Sequence, residues 1–231
     1  MAEFIFMLTK DDTTVPDCLA VYDEVRTSAL HWIGFKDIGV PIPVLTQLAE
    51  RMHADDMRVV LEIVSTDAEA ELRSVEAGLS IGVDMLMGGT NPDRALPLLR
   101  GSGIQYCPFP GRVVGHPSIL EGSIDEISGS AKELTGREGV DGLDLLAYRW
   151  QGPVPDLISA VVTAAEGPVV VAGTVTSAEQ IRVITQRGAW AFTIGGAVFD
   201  RLLVPDGSVR DQIDWTLDTA AEAETLLEER R

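Results

Sequence analysis

The chain has 231 residues, 45% hydrophobic and 23% charged, which suits one soluble domain with a sizeable core. Its formal net charge of -18 works against nucleic acid and anionic membrane surfaces, so neither is expected as a partner. That charge leaves a small anionic ligand open, because a local cradle can hold phosphate on an acidic protein.

Two cysteines, Cys18 and Cys107, make neither a disulfide framework nor a metal site. The N-terminus has no basic region or long apolar core of the signal-peptide kind. No stretch approaches the ~20 apolar residues of a membrane helix. A cytoplasmic location is expected.

Residues 4–9 read as a first strand and 10–14, KDDTT, as a polar loop. Residues 15–29 carry Leu19, Tyr22 and Val25 at helical spacing, with Pro16 in the first turn. A second strand over 32–37 runs into Ile38-Gly39-Val40-Pro41, and a helix over 43–55 presents Leu45, Leu48, Ala49 and Met52 on one face. Strand 59–64 precedes a helix capped by Asp67 that runs to about residue 80. Strand 84–87 ends in Gly88-Gly89-Thr90, before a short helix over 92–99. Strand 104–108 leads into a longer loop, 109–122. Ser123 caps the next helix, with Glu126 in the capping-box position. Strand 140–148 and helix 154–165 follow. Strand 169–171 ends in Ala172-Gly173-Thr174, helix 177–187 closes at Gly188, and strand 189–194 ends in Gly195-Gly196. A last amphipathic helix spans 208–229. Its Ile213, Trp215 and Leu217 can pack on the barrel or on a second subunit, so a homo-oligomer is possible.

Alternating strands and helices argue for a parallel sheet. Eight units in a chain this short favour an α/β fold of one kind: a single (βα)8 TIM barrel occupying residues 1–231. An open doubly wound sheet is the alternative, but it wants a glycine fingerprint after its first strand, where this chain has TKDDTT. In (βα)8 barrels the phosphate site lies after strands 7 and 8, capped by a short extra helix. Gly173, Gly195 and Gly196 stand at those turns. Taken alone they fit tight turns as well as a phosphate cradle.

Active sites of such barrels form at the C-terminal strand ends. Lys36 closes the second strand, on the side of Gly34. It can act as a Schiff-base nucleophile or proton shuttle, or simply hold an ion pair or a phosphate. Glu62 lies inside the third strand and Asp144 inside the sixth. Buried carboxylates are costly unless paired, so each is either a structural pair or an acid–base group. His116, in GHPS, is an acid–base candidate on a loop or an ordinary turn residue. Lys10, Asp37, Arg112, Tyr148 and Arg149 are candidate substrate contacts. No histidine pair stands at metal-ligand spacing, so no metal is expected.

VVVAGTVTSAEQI after strand 7 and FTIGGAVF after strand 8 resemble the ribulose-phosphate-binding barrel superfamily. The resemblance implies that backbone amides of Gly173, Thr174, Gly195 and Gly196 hold a substrate phosphate. EFIFMLTKDD, IGFKDIG, GHPSILEGSI and GVDGLDLLAYR further resemble small barrel proteins labelled 4-hydroxythreonine-4-phosphate dehydrogenase. The expected function is an enzyme on a phosphorylated small metabolite: an epimerase, isomerase or aldolase-type lyase working by proton abstraction next to a carbonyl. No cofactor is expected for that chemistry. The alternatives are a dehydrogenase-like oxidoreductase holding NAD or FMN at the same turns, and a non-catalytic phosphometabolite-binding barrel.

Overall fold

Short β-branched and apolar runs, each bounded by proline, glycine or a polar cap, form the strands of this chain. A computed structural model describes residues 2–65, 67–115 and 117–229. Eight parallel strands alternate with helices: β1 (Glu3–Met7), β2 (Trp32–Phe35), β3 (Arg58–Ile63), β4 (Met85–Gly88), β5 (Gln105–Cys107), β6 (Leu143–Leu145), β7 (Val169–Val171) and β8 (Ala191–Ile194). They pair in the order β6-β7-β8-β1-β2-β3-β4-β5. The ladder does not run between β5 and β6. There the ring is drawn together by Asp141 N–H donating to the Tyr106 carbonyl at 2.9 Å and Asp144 N–H to the Pro108 carbonyl at 3.1 Å. Pro108 has no N–H to return, so a regular ladder stops. The result is a nearly closed (βα)8 TIM barrel.

The helices are α1 (Cys18–Val25), α2 (Ile42–Ala54), α3 (Ala68–Ile81), α4 (Pro92–Leu99), α5 (Ile124–Thr135), α6 (Val154–Ala164), α7 (Ala178–Gln186), the single turn α8 (Gly196–Phe199) and α9 (Val209–Glu228). Asp67 accepts from Ala70 N–H at the start of α3, and Ser123 with Glu126 forms the expected capping box on α5. Ile213 on α9 is fully buried, with Trp215 and Leu217 partly buried against the same core, so that face packs on the barrel. Among the described residues no helix is long and apolar enough to cross a membrane.

Two apolar layers result. One lies between sheet and helices. The other fills the bore with Ile5, Met7, Val60, Met85, Met87, Cys107, Val170 and Ala191. Strand alternation turns Gly34 and Lys36 inward together. A Cβ at Gly34 would strike the Met7 sulfur, so glycine there makes room for the bore packing.

The largest departures from the sequence pattern are four. The strand expected over 140–148 is only Leu143–Leu145, because the chain turns at Ala147–Arg149 into a 3-10 helix tied back by Tyr148 N–H to the Ala172 carbonyl. The helix expected from residue 15 begins at Cys18, since Val15 N–H is bonded to the Leu8 carbonyl instead. The polar loop 10–14 contains a hairpin pairing Thr9–Lys10 with Thr13–Thr14. The loop 109–122 contains another, Arg112–Val114 with Ile119–Glu121.

Candidate active site

The C-terminal strand ends surround a cavity of about 450 Å³. Charged residues from four strand–helix units line it: Asp11 and Asp12 after β1, Lys36 after β2, Glu62 on β3 and Arg149 after β6. Gly173, Thr174, Gly195 and Gly196 line it too.

Asp12 joins the two cations of the cavity, and sequence reasoning missed it. Its carboxylate accepts from Lys36 Nζ at 2.7 Å and takes both terminal nitrogens of Arg149, at 3.0 and 3.2 Å. Burial alone would push its pKa up. The Arg149 hydrogen bonds and the Lys36 charge outweigh burial and hold it at about 2. The first hairpin aims this group. Lys10 pairs with Thr13 across a two-residue turn whose central residues, Asp11 and Asp12, have φ of 50° and 58°. That is the type I′ pattern, where glycine or asparagine is favoured. Aspartate is among the residues that tolerate this conformation, so the turn forms without glycine.

Lys36 is held by its backbone as well as its side chain. The Thr14 hydroxyl donates to the Lys36 carbonyl at 2.7 Å and accepts from the Lys36 N–H at 2.9 Å. The β1–β2 pairing ends at Met7 and Gly34, so this hydroxyl stands in for the missing ladder. Glu62 Oε2 lies 3.6 Å from the Lys36 ammonium. Among the described residues Glu62 makes no hydrogen bond.

Asp144 faces the bore and is 0% exposed. Leu146, two residues on, lines the cavity, so Asp144 sits one layer deeper. Neither carboxyl oxygen has a partner among the described residues. Burial raises its pKa well above 3.8, and nearby Glu62 adds to the effect, so the neutral form is favoured.

Among the glycines, Gly173 has φ of 117°, and a Cβ there would lie 3.0 Å from the Tyr148 carbonyl carbon. Glycine therefore lets the turn after β7 press against the 3-10 helix that carries Arg149. A Cβ at Gly195 would lie 2.7 Å from the Thr9 carbonyl oxygen, whereas one at Gly196 would meet nothing within 4 Å. The first turn of α8 presents N–H groups without intrahelical acceptors. Gln180 braces the preceding loop, accepting from Thr176 N–H at 2.7 Å and donating to the Thr174 carbonyl at 3.2 Å.

Four expected contact residues do not line the cavity. Lys10 is bound to Asp200 at 2.5 Å on the surface. Asp37 accepts from Ser74 on α3 at 2.6 Å, drawn outward by strand alternation. Arg112 is exposed on the second hairpin and pairs with Glu121. The Tyr148 hydroxyl points to the Gln180 carbonyl, and burial pushes its pKa up to about 12. His116 lies outside the described residues. Among those described, no group of three or more His, Cys, Asp or Glu is placed to hold a metal ion.

Neither a protein-family model nor a curated protein sequence matches the chain. Solved structures do. A chain of the Amycolatopsis orientalis BexX/CysO complex superposes with a TM-score of 0.63 at 18% identity, covering 99% of this chain and 92% of that one. The likeness is one of fold. Phosphoribosylanthranilate isomerase from Thermotoga maritima gives 0.63 at 12% identity over 96% of this chain and 100% of that one. N-acetylmannosamine-6-phosphate 2-epimerase from Clostridium perfringens gives 0.63 at 12% over 84% and 86%. Nothing in these likenesses supports the 4-hydroxythreonine-4-phosphate dehydrogenase label.

Proposed function

We propose that this chain is an enzyme that moves a proton next to a carbonyl on a phosphorylated small metabolite, as an isomerase, epimerase or aldolase-type lyase. The observation that carries this reading is that the Asp12–Lys36–Glu62 cluster shares one cavity with Gly173, Thr174, Gly195 and Gly196. Two of the similar folds, an isomerase and a sugar-phosphate epimerase by name, support the reaction class. The dehydrogenase resemblance contributes support for a phosphorylated substrate alone.

In this reading the phosphate rests against the open N–H groups at Gly196 and the turn at Gly173-Thr174, where no side chain intrudes. The reacting carbon then lies near Lys36 and Glu62. Asp12, held at about 2 by its two cations, is a poor base. Glu62, with only a 3.6 Å contact to Lys36, is the carboxylate free to take a proton. Lys36 already donates to Asp12 at 2.7 Å, which suits it to steady the developing oxyanion rather than to attack as a free amine.

Phosphate esters are expected to raise the melting temperature, a ligand at 100 times its Kd adding about 2.7 kcal/mol. Gly196→Asp should abolish that shift without unfolding, since a Cβ there meets no atom within 4 Å. An identical shift in the variant would remove the phosphate turn from the proposal. On the substrate so found, Glu62→Gln should lower kcat by roughly 100- to 10,000-fold.

A further inference from the structure

A second cavity, of about 600 Å³, opens at the opposite end of the barrel. It is built where the strands begin: Trp32, Arg58 and Met85 are the first residues of β2, β3 and β4, and Trp190 directly precedes β8. Met85 and Cys107 line it and belong to the apolar bore, so the bore packing parts it from the charged cavity. The two cavities share no lining residue.

Two features set the chemistry of this second cavity. The first is aromatic. Trp32 and Trp190 both line it, and both stay partly exposed. Their rings stand at 89° to one another, with centroids 5.5 Å apart. A flat base would need parallel ring faces to lie between. Rings at right angles make a corner instead, the arrangement in which electron-rich ring faces surround an alkylammonium group.

The second feature is charge. Among the described residues the charged lining is Arg58, Asp84 and Asp141. Arg58 donates to Asp84 at 2.9 Å, and Asp84 also accepts from Val59 N–H at 2.8 Å and contacts His53 Nε2 at 2.9 Å. That pair balances itself. Asp141 accepts from Tyr106 N–H at 2.9 Å and makes no ion pair among the described residues. Two carboxylates against one guanidinium leave the lining net negative. An anion would be repelled by Asp141 and would find Arg58 already neutralised.

We infer that this cavity binds an organic cation, an alkylammonium held against Trp32 and Trp190 with Asp141 as its counter-charge. The site is separate from the phosphate turns and does not depend on the reaction proposed above.

The test compares choline with 3,3-dimethylbutanol, which has the same shape without the charge. Kd values are measured by calorimetry at low salt, and tryptophan fluorescence reports on the rings. Choline should bind at least about tenfold more tightly than the alcohol, as expected for a cation against two rings. Trp32→Leu and Trp190→Leu should each weaken choline about tenfold. Asp141→Asn should weaken choline several-fold and leave the alcohol unchanged. The asparagine oxygen can still accept from Tyr106 N–H, so this variant keeps its fold. Both rings pack on the bore, so melting curves are recorded first, and Asp141→Asn decides if neither ring variant folds. Gly196→Asp, at the other end of the barrel, should bind choline as wild type does.

Equal affinity for choline and the alcohol would overturn the inference, reducing the rings to an apolar patch. So would choline binding that survives Asp141→Asn, which is what the acidic surface as a whole would give. Absence of binding at millimolar choline would make the rings a structural plug and overturn it as well. A dimer in sedimentation that Trp32→Leu converts to a monomer would do the same, since a second copy then covers the corner.

Discussion

Replacing Asp12 with asparagine is expected to cost about 3 kcal/mol of stability and most of the turnover. The side chains of Asp12 and Lys36 are 7% and 4% exposed, so the pair is buried. Without the carboxylate, Lys36 keeps only Glu62 at 3.6 Å, and Arg149 loses both of its Asp12 hydrogen bonds. Breaking a buried pair from one side leaves an uncompensated charge, which is the costly outcome. The backbone contributes little to the loss, because asparagine suits the positive-φ turn at least as well as aspartate. The substitution therefore isolates the charge. Acid titration provides the check. Asp12 ionises at about 2 in the folded protein against an ordinary 3.8. A depressed carboxylate contributes stability that is present above 3.8 and lost as pH falls through 2, worth about 2 kcal/mol here. Urea midpoints of wild type and variant should converge across that window. Curves that stay parallel down to pH 2 would show that the ion pairs do not supply the stability.

The barrel was legible because its elements are punctuated. Val169–Val171 lies between Pro168 and a glycine turn, and Pro92–Leu99 starts on a proline, so both stand where the pattern puts them. Lys36 was legible for a similar reason: alternation alone places it with Gly34 in the bore. Asp12 was not. KDDTT has no glycine to mark a hairpin, and two-residue strands are too short to show a period. The contacts that define Asp12 join residues 24 and 137 positions away in the chain. The available signal was two consecutive carboxylates at the end of β1, the place where a barrel builds its site.

The glycines show where local reading stops for another reason. Gly173 and Gly196 look alike in sequence, yet one is required by a neighbouring backbone at 3.0 Å and the other opens on empty space. Steric need accounts for Gly173 whether or not it meets a ligand. Nothing in the packing demands glycine at position 196, which is why the phosphate test rests on that residue.

Asp144→Asn is expected to make the protein more stable as pH rises. The wild-type carboxyl is 0% exposed, has no partner for either oxygen, and is kept protonated by burial and by Glu62. In the unfolded chain the same group ionises at 3.8. Above that value the folded state binds one more proton than the unfolded state. Stability from this residue is complete below 3.8 and declines as pH rises toward the folded-state value. The slope is about 1.4 kcal/mol per pH unit, the free energy of one proton. Asparagine matches the shape and cannot ionise, so the difference between variant and wild type should widen as pH rises above 3.8, read from urea midpoints at each pH. A difference that stays constant would mean that Asp144 ionises in the folded protein as it does in water, and the account of a buried neutral acid would be wrong. A buried carboxyl with no partner is hard to explain by packing, since an apolar side chain of similar size would fill the bore at no such penalty. The charges that act on Asp144 are those of Glu62, Lys36 and Arg149, which ties it to the charged residues of the cavity rather than to the packing of the bore.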